Sequence, residues 1–202
     1  MNVYAESNFV LELAFAQEQR EACEQILKLC EEGRARLVLP AYALAEPYET
    51  LTRRHKSRKK LKEDLDVELK QLARTPSYAT QIRGFTSTVD LLVKSAEEEA
   101  NRLEQVRDRL LATADIVPLD IEILRSATRC QQTYDLSPQD AVVCASVLHH
   151  LEQHRPESSC FLNKNSRDFD NPDIVDVLNR HNCKMLASFA RGHDVILHAV
   201  IG

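Results

Sequence analysis

The 202-residue chain is 44% hydrophobic and 28% charged, which suits one domain with a buried core and excludes both a disordered chain and two full domains. Its formal net charge of −5 excludes a global attraction to polyanions, so nucleic acid would have to meet a local basic surface. No segment offers 18 consecutive apolar residues, Met1 is not followed by a basic leader and apolar core, and the six cysteines are scattered without a Cys-x-x-Cys pair; a cytoplasmic chain with reduced thiols and no membrane partner is expected.

In chain order, a first apolar run at Asn2 to Ala5 precedes helical spacing over Ser7 to Ala16 and Gln19 to Glu32, with Gly33 as a stop. A second run, Leu37 to Leu39, leads into two long helical stretches, 41 to 73 and 79 to 112, joined at Thr75-Pro76-Ser77. Their leucine and valine stripes predict an antiparallel pair with core or partner-facing surfaces, which leaves a homodimer open. Pro47 lacks a backbone donor and is expected to kink or restart the first of them. Ile116 to Leu119, helices at Ile121 to Gln132 and Pro138 to Gln153, Cys160 to Leu162, a helix at Pro172 to His181, and Lys184 to Leu186 complete the pattern. Strands separated by helices imply an α/β fold: a parallel sheet of about five strands, helices on both faces and right-handed crossovers. Residues 1–202 are read as one domain with a helical insertion at about 51–115, and ligands belong at the carboxyl ends of the strands.

Four acidic residues fall at that rim by topology. Glu6 ends the first strand, Glu46 lies early in the helix after the second, Asp140 opens the helix before the fourth, and Asp168 follows the fourth by a short loop. Two unit charges about 4 Å apart repel by roughly 4 kcal/mol at an effective dielectric of 20, and a divalent cation removes that conflict. An all-oxygen site suits Mg²⁺ or Mn²⁺, which activates water and stabilises charge on phosphate. Phosphodiester hydrolysis is the chemistry expected of such a cluster.

The pieces Glu6-Ser7-Asn8 after a strand, Glu46 in the next helix, Leu136-Ser137-Pro138-Gln139-Asp140-Ala141 and Asn163-Lys164-Asn165-Ser166-Arg167-Asp168-Phe169 together resemble the PIN-domain nucleases. The resemblance runs through nearly the whole chain in order, apart from the insertion. It implies a PIN-like fold, Mg²⁺ or Mn²⁺ held by Glu6, Asp140 and Asp168, Glu46 as a further catalytic acid, and RNA as substrate. Ser7, Asn8 and Asn165 would orient carboxylates or water. The first acidic position, usually Asp in that family, is Glu6 here. Many members are toxins of bacterial toxin–antitoxin pairs, so an antitoxin or other protein partner enters the expectation.

Each residue also has a plain structural role open to it. Ser137-Pro138-Gln139-Asp140 reads as a capping box, Glu6 as a helix-start acid, Glu46 as a solvated helix residue and Asp168 as a turn former. Arg53-Arg54-His55-Lys56-Ser57-Arg58-Lys59-Lys60 is either an RNA contact, through Arg53, Arg54, Lys56, Arg58, Lys59 and Lys60, or a solvated face paired with Glu63, Asp64 and Glu97 to Glu99. His149, His150 and His154 read as surface histidines. A ribonuclease is the leading function. An inactive PIN-like module that binds RNA or a protein through the insertion is the alternative, and a receiver or phosphohydrolase domain lacks its second acid near the first strand.

Overall fold

The computed structural model describes residues 1–82, 85–164, 169 and 171–201, with the side chains of 79, 80, 86, 87 and 201 set aside. Five strands, β1 (Asn2–Ala5), β2 (Arg36–Pro40), β3 (Asp115–Val117), β4 (Ser159–Leu162) and β5 (Cys183–Leu186), form one sheet in the order β3-β2-β1-β4-β5. Every pairing is parallel. The order reverses at β1, so β1 is the central strand and its carboxyl end lies at the switch point where a parallel sheet opens a crevice.

Alternation along the central strands builds two cores. Val3, Ala5, Leu37, Leu39, Cys160 and Leu162 face one side, against α1 (Ser7–Ala14), α2 (Arg20–Glu31) and the C-terminal helix α9 (Phe189–Ile201). Tyr4, Val38, Val117 and Phe161 face the other, against α6 (Ile121–Tyr134), α7 (Pro138–His154) and α8 (Pro172–Arg180). Strands buried on both faces appear as unbroken apolar runs, which is the reason the sequence marks them.

Between β2 and β3 run α3 (Ala41–Leu72), α4 (Pro76–Ile82) and α5 (Thr86–Thr113). Tyr48 meets Glu104, while further along α3 His55 meets the Ala96 carbonyl and Arg58 meets Glu99, so the later part of α3 meets the earlier part of α5 and the two helices are antiparallel. Near the sheet, α5 buries Leu103, Val106 and Leu110 in the first core, and Leu51 of α3 joins them.

Three expectations need correction. The stretch from 79 to 112 is divided between two helices, α4, which begins at Pro76 and ends at Ile82, and α5, which begins at Thr86. Pro47 does not restart α3, which runs through it with Pro47 buried as the seventh residue of the helix, where it removes one main-chain donor from the ladder. Finally, α9 follows β5 where no helix is expected. All six cysteines are buried and unpaired, and burial pushes the Cys30 and Cys183 thiols up to about 12. No helix among the described residues is long and apolar enough to cross a membrane.

Candidate active site at the carboxyl edge of the sheet

The register aligns Ala5 with Leu162, so Glu6 and Asn163 leave the sheet side by side, and both are buried. Glu6 caps α1: Asn8 donates to its Oε2 from the main chain and from Nδ2, each at 3.0 Å. The Lys164 main-chain N–H donates to Oε1 at 3.2 Å. These three donors hold a carboxylate only 8% exposed at the open end of the central strand.

Burial pushes the Glu6 carboxyl up to about 7, against the pull of the Asn8 and Lys164 hydrogen bonds, and the nearby Glu46 charge adds to the rise. No ion pair among the described residues involves Glu6 or Glu46. The nearest ammonium on the same loop, Lys164 Nζ, is turned to Glu12, which is wholly buried and lies 2.5 Å away. Glu12 also accepts from the Gln19 main chain at 2.7 Å. Lys164 therefore fastens the end of β4 to α1 twice, by its backbone to Glu6 and by its side chain to Glu12.

Glu46 lies in the second turn of α3, which begins immediately beyond β2, and its Oε2 accepts a hydrogen bond from the Ser7 hydroxyl. Asp140 occupies the third position of α7, where Ser137 and Pro138 make the helix start predicted by the capping pattern. The Ser137 hydroxyl accepts from the Asp140 main chain at 3.2 Å and donates to Asp140 Oδ2 at 2.5 Å. Tyr42, one turn before Glu46, links these two neighbourhoods: burial raises its phenol, and the charges of Glu46, Glu49 and Asp140 raise it further. Glu6, Glu46 and Asp140 thus belong to one end of the sheet. Asp168 and Asn165 lie outside the described residues, whereas Phe169 is buried with its ring edge-on to Phe161 at 5.4 Å. Lys164, Glu12 and Tyr42 have roles the sequence reading does not assign to them; Glu12, six residues after Glu6 on α1, carries no local signal.

Among the described residues, no group of three or more His, Cys, Asp or Glu side chains is gathered as a metal site. The Glu6 and Glu46 carboxylates and the Ser7 hydroxyl are hard oxygen groups of the kind Mg²⁺ or Mn²⁺ takes. His149, His150 and His154 sit at the opposite edge, beside Arg36 and Asp115, and His150 corrects the surface expectation. It is 7% exposed, bonded through Nδ1 to the Tyr4 hydroxyl at 2.8 Å and stacked on His154, with burial lowering its pKa to about 4.

A parallel α/β sheet with acidic residues at its switch-point edge carries them where such domains bind their ligands. The sequence matches the PIN domain family over residues 3–169, and the chain belongs to that family, whose members are generally nucleases. No curated protein and no solved structure matches the chain.

Proposed function

We propose that the chain is a metal-dependent endoribonuclease in which Glu6, Asp140 and Asp168 hold Mg²⁺ or Mn²⁺ and Glu46 assists. The observation that carries this reading is the buried Glu6 at the carboxyl end of β1, close to Glu46 and at the same end of the sheet as Asp140, with no cation paired to Glu6 or Glu46 among the described residues. A carboxylate held in that state costs free energy unless positive charge is brought to it. Asp168 enters from the family pattern, six residues after β4 ends in the sequence. A divalent cation bound there supplies charge neutralisation and a more acidic water.

The chain's own groups set the geometry. Asn8 and the Lys164 main chain orient Glu6, Ser137 orients Asp140, and Ser7 holds one oxygen of Glu46 so that the other can take a proton from the attacking water. In the hydrolysis the water oxygen bonds to phosphorus, the bond to the leaving ribose oxygen breaks, and that oxygen leaves with a proton from solvent. Incubation of labelled RNA with Mn²⁺ tests this. Cleavage by the native chain and its loss in Asp140→Asn are expected, and absence of cleavage with either ion contradicts the reading.

One observation favours a second reading, an inactive PIN module that binds RNA through the helical pair. A Glu6 carboxyl that titrates near 7 is half protonated at neutral pH and would compete with a cation. It predicts no stabilisation by Mn²⁺. Within the nuclease reading, growth arrest on expression together with a small neighbouring antitoxin would assign the toxin role, and normal growth would remove it.

A further inference from the structure

Glu46 and the basic run share one helix, and the structure divides the run by direction. Arg54 and Arg58 turn toward α5 and are neutralised by Glu99: two guanidinium nitrogens of Arg58 lie 2.8 Å from its oxygens, and Arg54 lies at 3.6 Å. Arg54 also covers the Phe15 ring at 4.1 Å. Those two arginines hold the helical pair together and are removed from the set of RNA contacts. Arg53, Lys56, Lys59 and Lys60 are exposed, and none enters an ion pair among the described residues.

Helix geometry separates these four again. At about 100° per residue, Arg53 and Lys60 lie within about 40° of Glu46 around the α3 axis and Lys56 within about 80°, whereas Lys59 and Lys62 lie roughly 140° or more away. The α5-facing residues Leu51, Arg54 and Arg58 occupy the side opposite this stripe, so the stripe looks outward from the helical pair. Arg53 to Lys60 covers about 10 Å of helix. Glu49 before it and Asp64 after it lie on the same face, which limits the cationic segment to two turns.

We propose that Arg53, Lys56 and Lys60 form a guide rail on α3 that carries one strand of the RNA substrate away from Glu46. The inference rests on the nuclease reading above for the identity of the site it serves. Three cations in a row over about 10 Å of helix offer consecutive contacts to the phosphates of one strand. The stripe is a narrow band on a single helix, so it neutralises one backbone and offers no second row of cations to the other strand of a duplex. An acidic chain can hold RNA this way because the cations facing α5 are already spent on Glu99 while those beside Glu46 are free of acid partners among the described residues.

The test is fluorescence anisotropy of a labelled single-stranded RNA of about 12 nucleotides, with the full-length chain carrying Asp140→Asn to prevent turnover. Adding Arg53→Gln, Lys56→Gln and Lys60→Gln is expected to weaken binding about tenfold or more at low salt and to reduce the slope of log affinity against log salt by about 2. Adding Lys59→Gln and Lys62→Gln instead, on the far side of the same helix, is expected to change affinity less than threefold. Melting temperatures within a few degrees of the parent establish that both sets fold. Equal losses from the two sets, an unchanged slope in the stripe variant, or no RNA binding by the parent would overturn the proposal. Binding is read without cleavage, so failure of the nuclease reading leaves a separate signature: stripe-dependent binding with no hydrolysis by the native chain.

Discussion

Lys164 and Glu12, separated by 152 positions in the chain, meet at 2.5 Å beneath the acidic edge, and the same Lys164 donates its backbone N–H to Glu6. One residue thus ties a structural ion pair to the central acid of the site. Because Glu12 is fully buried, removing its partner leaves an uncompensated charge, which costs about 3 kcal/mol when the lysine is partly exposed. Lys164→Ala is expected to lower the melting temperature by about 6–12 °C for a chain of this size. Differential scanning calorimetry checks it, and Lys164→Ala with Glu12→Leu together should recover most of the loss.

The raised pKa of Glu6 makes stability depend on pH in a defined direction. Between about 4.5, its ordinary value, and about 7, the folded chain keeps a proton that the unfolded chain has released, so stability falls as pH rises through that window. The contribution is complete below about 4.5 and lost above about 7. Glu6→Gln removes the ionisable group but also one of the two acceptor oxygens that Asn8 and Lys164 use, so its effect is read as a loss of pH dependence. Urea denaturation at pH 5 and pH 8 is expected to show the native chain losing stability between the two pH values by more than the variant does; an equal change in both contradicts the assigned environment.

Ser7 holds Glu46 across the junction of α1 and α3. Ser7→Ala is expected to cost about 1 kcal/mol of stability, the ordinary worth of such a bond, and about tenfold in RNA cleavage with little change in KM. Steady-state kinetics on a labelled RNA separates the two parameters.

Asp140 has two roles at the start of α7, as partner of the Ser137 cap and as proposed metal ligand. Asp140→Asn keeps a polar side chain there and removes the charge, so the helix should lose less than about 1 kcal/mol while Mn²⁺-induced stabilisation disappears. Thermal melts with and without Mn²⁺ measure both, and an equal Mn²⁺ response in the native chain and the variant excludes Asp140 as a ligand.

The central strands β1, β2 and β4 were legible as short apolar runs because both faces are covered, and all five strands lie within two residues of the sequence expectation. The start of α7 was legible because Ser137, Pro138 and Asp140 occupy positions whose chemistry is local. α9 was hidden by Gly192, which resembles a break yet sits where a Cβ would come within 2.5 Å of Leu162 Cδ2; the glycine permits close packing of helix on strand. His150 looked like a surface residue because its partner Tyr4 is 146 positions away, and the Lys164–Glu12 pair was invisible for the same reason. Local patterns report backbone conformation and caps, while pairings made by the tertiary fold leave no trace in spacing.

Anomalous diffraction at the manganese edge, from crystals grown with Mn²⁺, tests the central claim most directly. A peak coordinated by carboxylate oxygens of Glu6, Asp140 and Asp168 is the expected result. Crystals with Mn²⁺ in the mother liquor, no peak at the carboxyl end of β1, and those three carboxylates directed into separate regions would contradict the metal-dependent site.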